Sequence, residues 1–211
     1  MKLPWDKADP HRNGATDPSA LAGADEHSLA GLEPGDAISF WGEGDRIVTC
    51  VFECREGIGA RSYTWRWMFL DDGSLVEHSG DGQWRYTEHQ IVPQGTALYS
   101  DLVGPGGLLE QFEARVRNDT VGDEPVLTTL RDRHYRITST GAVEAKRHGP
   151  PPGLSPWAQL LDNPQENVYF SLVAADDETQ GVLGIWTSHV CLSFGRPIAE
   201  TDVDGIYRRP R

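Results

Sequence analysis

Lysine is almost absent from this chain. Of 19 basic residues only Lys2, Lys7 and Lys146 are lysines, and the others are arginines. Against them stand 32 acidic residues, for a formal net charge of −13. Phosphate neutralisation needs a basic face, so this excess argues against a nucleic-acid partner. Cysteine is scarce too: Cys50, Cys54 and Cys191 are too few, and odd in number, for a disulfide framework. That usage fits a reducing, cytoplasmic compartment. No run of 18 apolar residues occurs, so no membrane-spanning helix is expected. The opening Met1-Lys2-Leu3-Pro4-Trp5-Asp6 has no apolar stretch, and no secretory signal is expected. Dense chemical motifs are missing as well. There is no His-Glu-x-x-His, no Cys-x-x-Cys, no phosphate-binding Gly-x-x-x-x-Gly-Lys-Ser/Thr and no Gly-x-Ser-x-Gly elbow.

What is present is the mix of a folded domain: 38% hydrophobic and 24% charged residues, too apolar for disorder and too polar for a bilayer. A chain of 211 residues hides roughly 70% of its unfolded surface and needs no staple. Residues 1–31 form a Pro/Gly-rich acidic arm without apolar period, punctuated by Asp9-Pro10, Asn13-Gly14 and Asp17-Pro18. It is expected to be flexible, with a weak helical pattern near residues 19–30 and Trp5 as its one anchor. Residues 32–208 read as a single β-rich domain.

Within that domain, turn signals alternate with short extended runs. Ala37–Trp41 is a strand. In Arg46–Arg55 the even positions Val48, Cys50, Phe52 and Cys54 share a face, because strand side chains alternate. Tyr63, Trp65, Trp67 and Phe69 do the same, and Asp71-Asp72-Gly73 turns the chain into Ser74–His78. Gly80-Asp81-Gly82 leads to a strand over 83–92. Residues 93–105 read as irregular. Leu108, Leu109, Phe112 and Val116 stand at helical spacing, although Phe112–Arg117 also alternates as a strand would. Further strands fall at 125–130, 135–139, 142–146, 166–175 and 181–194. Ser155-Pro156-Trp157 looks like a helix start, and 202–211 like an edge segment or tail. The predicted fold is mostly β, an antiparallel barrel or two packed sheets with one or two short helices.

An order of features recurs. Asp45-Arg46 enters a strand, and an aromatic strand later closes at Asp71-Asp72; Asp132-Arg133 and Asp176-Asp177 repeat this 87 and 105 positions on. The difference matches the Pro-rich insert at 149–153. Two pseudo-repeat halves, 33–100 and 125–208, account for the pattern, although strand–turn grammar of this kind also arises by chance.

Pro34-Gly35-Asp36 opening a strand, Arg46-Ile47-Val48, and Tyr63-x-Trp65 before Leu70-Asp71-Asp72-Gly73 together resemble a bacterial family, domain of unknown function 4178. His134-Tyr135-Arg136-Ile137, Gly141-Ala142-Val143 and Leu192-Ser193 continue the likeness, which covers about two thirds of the chain. The resemblance implies a small, mostly β cytoplasmic domain and assigns no activity and no catalytic residue. The acidic arm, the Pro-rich insert and the 107–118 segment depart from its pattern.

Three chemistries are candidates. A metal could use His78 and His89 if the hairpin register brings them together, with Glu77 or Glu88 as a carboxylate; surface or satisfied histidines are the plain alternative. Cys50 and Cys54, about 13 Å apart along one strand, are too far apart for one ion and fit small buried residues. His189 and Cys191 share a strand face about 6 to 7 Å apart, a spacing open to a reactive thiolate but lacking a third orienting group. The aromatic stripe of Tyr63, Trp65 and Trp67, with Trp84 and Tyr86 on a nearby strand, lines either a core or an apolar pocket; Arg66 and Arg85 then face water. The expected function is a non-catalytic binding or accessory domain serving a protein partner or a small apolar ligand. An enzyme or metal protein using His78, His89, His189 or Cys191 is the alternative.

Overall fold

Turns built on Gly and Asp cut the chain into extended runs, and most runs pair with a neighbour in sequence. The computed structural model describes residues 28–57, 62–80, 82–118, 120, 125–150, 167–176, 178–186 and 189–210. The first five strands are β1 (Ala37–Phe40), β2 (Gly44–Glu56), β3 (Tyr63–Leu70), β4 (Leu75–Ser79) and β5 (Gly82–Val92). Two helices follow, α1 (Ala97–Val103) and α2 (Leu108–Asn118). Then come β6 (Leu127–Leu130), β7 (Arg133–His148), β8 (Asn167–Ala174), β9 (Gly181–Trp186), β10 (Val190–Pro197) and β11 (Val203–Tyr207). The expected helix near 155–161 and residues 1–27 of the expected flexible 1–31 arm, Trp5 included, lie outside the described residues. The last residues of that arm, 28–31, are docked rather than free: Leu29 is buried, and Arg208 donates to the carbonyls of Ser28 and Gly31.

Two antiparallel meanders, β2–β3–β4–β5 and β7–β8–β9–β10, join into one ring. First strand meets first strand, with Val51 opposite His148 and Arg55 opposite Glu144. Last meets last, with Trp84 opposite Pro197 and Val92 opposite Val190. The result is a closed eight-stranded antiparallel barrel. β1 and β11 extend the sheet from β2, and β6 extends it from β7. The two halves therefore share one plan, a short leading strand followed by a four-strand meander. Asp45 enters β2 as Asp132 precedes β7, and Asp71 follows β3 as Asp176 follows β8. The insert that lengthens the second interval falls between β7 and β8.

Bulges re-aim the strands. Val48 pairs with Leu70 and Cys50 with Phe69, leaving Thr49 as the extra residue. Side chains alternate only while pairing is regular, so Val48 turns outward while Cys50, Phe52 and Cys54 point into the barrel. The predicted four-residue stripe is thus broken at Thr49. In β7 the extra residue is Thr138, between Ile137 and Ser139. Each of these threonines donates its hydroxyl to a carbonyl of the next strand, Thr49 to Phe69 at 3.0 Å and Thr138 to Ser171 at 3.1 Å. Because the bulge keeps the chain extended, 133–148 is one strand and not the two expected.

Three apolar layers hold the structure. The barrel interior contains Phe52, Trp67, Phe69, Leu75, Leu183 and Ile185. Outside the second meander, Leu102, Leu108, Leu109 and Phe112 of the helices pack on Phe170, Leu172, Val182 and Leu192. Outside the first, Ile38 and Phe40 of β1 and the preceding Leu29 and Leu32 cover Val48, Val51, Met68 and Val76. α2 follows the predicted periodicity, with Glu110 in its first turn and Arg115 and Arg117 in its last, both favourable to the helix dipole. α1 falls in the stretch read as irregular. Thr96 caps it, its hydroxyl accepting from Tyr99 N–H at 3.2 Å.

The covering layers overturn one expectation: Arg66 and Arg85 are not in water. They are 7% and 5% exposed. Arg66 donates to Ala30 O and to Glu33, at 2.5 and 3.0 Å. Arg85 reaches Glu43 at 2.7 Å and Asp72 at 3.1 Å and lies 3.9 Å over the Phe40 ring. Burial works to raise the Asp72 carboxyl, but hydrogen bonds from Ser74 and Arg46 and the Arg85 charge hold it below its usual value.

Candidate functional site

The inward positions of the barrel change character from one end to the other. Near the β3–β4 turn they are compact and close-packed: Cys50, Phe69, Leu75 and Cys191. At the opposite end β3 and β5 supply large rings, Tyr63, Trp65, Trp84 and Tyr86. Apart from Tyr169, the strands facing them supply mostly small groups: Thr138 and Ser139 on β7, Ser171 on β8 and Gly181 on β9; Ser79 on β4 lies between the two ring-bearing strands. An eight-stranded barrel is just wide enough for side chains to fill, so small residues opposite large ones leave space. That space is a cavity of about 310 Å³ lined by these residues together with Tyr169, Glu77 and Val173. Its size lies at the lower end of the range for small-ligand sites.

The ring walls are mutually supported. Trp65 lies 5.4 Å from Tyr63 and 5.1 Å from Tyr169, centroid to centroid. Trp84 and Tyr86 stack at 6.4 Å with 16° between planes. Gly181 leaves room for Trp84: a Cβ there would fall 2.7 Å from the present position of the indole ring, which would have to shift to accept it. Tyr169 donates its phenol to Glu56 at 2.6 Å. Trp67 is fully buried and lies outside the lining; its indole N–H instead donates to Glu77 at 2.8 Å. Of the five aromatic residues singled out from the sequence, Tyr63, Trp65, Trp84 and Tyr86 line the cavity, and Trp67 orients the carboxylate that does. Burial pushes the Tyr86 phenol and the Cys54 thiol well up, and the Glu77 charge adds to both shifts.

Tyr169 was not singled out from the sequence, and Glu77 only as a possible metal carboxylate, not as part of the aromatic pocket. Their signal was the period of two: Leu75, Glu77 and Ser79 alternate, as do Tyr169, Ser171 and Val173. Which face turned inward depended on the pairing.

The metal candidates are separated. His78 pairs with Gln83, and His89 lies six residues further along β5, roughly 20 Å away at strand rise. His78 sits beside Arg66 on β3, where burial first and the Arg66 charge second lower its pKa. His89 sits towards the other end of the barrel, its Nδ1 2.7 Å from Ser193 Oγ and its Nε2 2.9 Å from Gly73 O. A carbonyl only accepts, so Nε2 carries the hydrogen and Nδ1 accepts from the serine. Burial lowers the His89 pKa despite Gly73 and Asp72, in keeping with a neutral ring. Among the described residues no three His, Cys, Asp or Glu side chains gather as a metal site would require.

The Cys–His spacing also changes meaning. Cys191 points into the barrel, and burial pushes its thiol up to about 12, whereas a nucleophilic cysteine needs a lowered value. His189 precedes β10. The hydroxyl–imidazole pair that does form, Ser193 with His89, was not legible from spacing; its serine is 0% exposed, closed to substrate. No helix among the described residues is long and apolar enough to cross a membrane.

Compared with known proteins, the chain matches no family model, no curated protein and no solved structure.

Proposed function

We propose that this chain is a non-catalytic binding domain that takes a small, largely apolar ligand into one end of its barrel. The aromatic-walled cavity of about 310 Å³ carries this reading. Ring faces provide much contact area at little entropy cost, and a few fixed polar groups give orientation. Two observations count against a nucleophilic enzyme: the thiol of Cys191 is held protonated, and Ser193 is sealed. The resemblance of 33–78 to a family of no assigned activity is compatible with a cytoplasmic accessory role and supplies no substrate.

Calorimetric titration of the full chain with indole and with 2-phenylethanol tests the proposal. Saturable one-site binding is expected, with chemical-shift changes centred on Tyr63, Trp84 and Gly181. Ser171→Phe, which fills the cavity from β8, is expected to abolish it while the circular dichroism spectrum stays native. Absence of saturable binding to either probe, or equal binding by the filled variant, refutes the reading.

A further inference from the structure

The walls of the cavity are chemically one-sided. Besides the aromatic side chains they carry one carboxylate, Glu77, and the hydroxyls of Ser79, Thr138, Ser139 and Ser171; among the described residues that line it there is no Lys, Arg or His. We propose that the ligand is an organic cation, a small aromatic or apolar amine whose ammonium group sits against Glu77 and the faces of Trp84 and Tyr86. This rests on the reading of the cavity as a ligand site and adds the charge of the ligand.

Three observations support it. First, the carboxylate is positioned. Trp67 is immobilised in the core and its N–H fixes Glu77 Oε2 at 2.8 Å, so the group is held in the wall of the cavity. Second, Glu77 stands close to the stacked pair: its charge adds to the raising of the Tyr86 phenol, so its field is felt where the ligand would lie. Ring faces carry negative electrostatic potential, and Trp is the strongest of them for an ammonium ion. Carboxylate and rings therefore favour the same sign of charge. Third, the alternatives are penalised. An anion would be repelled by Glu77 in a medium less polar than water, and a neutral ligand would strip water from the carboxylate and return at most an uncharged hydrogen bond, weaker than one from an ammonium group. A net charge of −13 also draws cations toward the protein from a distance.

The test compares three probes of one shape: phenethylammonium, 2-phenylethanol and phenylacetate, titrated calorimetrically into the full chain at pH 7. Phenethylammonium is expected to bind at least roughly tenfold tighter than 2-phenylethanol, with phenylacetate weakest. Glu77→Gln keeps an acceptor for Trp67 and is expected to bring the cation and the alcohol within about threefold of each other. Equal affinities in the unaltered protein, or tighter binding of phenylacetate, overturn the proposal while leaving the cavity reading in place. A preference that survives in a folded Glu77→Gln overturns it too. If none of the three binds, both readings fall. The ratio in the unaltered protein decides the matter whether or not the variant folds.

Discussion

Two glycines on β9 make a matched pair for testing whether the cavity is space that a side chain can use. Gly181 faces inward beside Trp84, and Gly184 faces outward beneath the helices. A methyl group at Gly184 would lie 2.1 to 2.4 Å from three atoms of the fully buried Phe170 ring. Ordinary contact needs 3.4 Å or more, so the ring must move by over 1 Å in a layer already packed by Phe112 and Leu109. Overpacking of that kind costs about 3 kcal/mol, the upper end of the usual range. A methyl at Gly181 meets Trp84 at 2.7 and 2.9 Å, nominally also a clash. Here, however, the indole is only half-buried and borders about 310 Å³ of open volume into which it can swing. The residual strain is then offset by the ~0.4 to 1 kcal/mol that Gly→Ala contributes by restricting the unfolded chain. Gly181→Ala should therefore lie within about 1 kcal/mol of the parent. In a domain of this size, 1 kcal/mol moves Tm by about 2 to 4 °C, so the two variants should differ by roughly 4 °C or more. Urea unfolding followed by Trp fluorescence and far-ultraviolet circular dichroism measures both. Equal destabilisation by the two substitutions would mean that Trp84 has nowhere to go, and the cavity argument would be wrong.

Other outcomes follow from the same structure. His89 has a pKa lowered in the folded state, so between that value and the ordinary ~6.5 the unfolded chain binds the extra proton. The stability that the neutral ring contributes is fully present above about pH 6.5 and is lost as pH falls; a melting series from pH 8 to 5 should show a shallower decline for His89→Asn, and an unchanged slope would refute the assignment. All three cysteines are buried, and the Cys191 thiol is pushed up to about 12. None should react with a chromogenic disulfide reagent at pH 8 until urea unfolds the chain, so prompt labelling of Cys191 would contradict the inward placement of β10.

Much of the architecture was legible because it rests on local rules. Period-two stripes and Gly/Asp turns gave nearly every strand, and the apolar spacing of Leu108, Leu109, Phe112 and Val116 gave α2. The recurrence of Asp45, Asp71, Asp132 and Asp176 reflected two meanders of one plan. What stayed hidden depends on partners distant in sequence. A bulge such as Thr49 leaves no mark in composition, yet it reverses Val48. Arg66 and Arg85 looked solvated because β1, β11 and the segment before them cover their face only in three dimensions. His78 and His89 looked close because the hairpin turn was visible and its register was not. α1 was missed because its capping residue, Thr96, sits among turn formers and its helix spans only seven residues. For the site, the ring stripe was readable and the opposing small residues were not, since a cavity is a property of two facing walls.

The way the barrel closes sets the order in which it can form. Within each meander every strand pairs with a neighbour, whereas the two seams join residues about a hundred positions apart: Val51 with His148, and Trp84 with Pro197. Among the pairings that close the barrel these carry the largest loop-closure entropy, so they are expected to zip last of the barrel strands and to limit its formation. Until then the first meander holds β2 and β5 as two raw edges, each ready to accept any strand of suitable shape. A second copy of the same meander offers the same two edges in the same arrangement. The error to which this topology is prone is therefore a barrel assembled from the first halves of two chains, in competition with the one assembled from both halves of one.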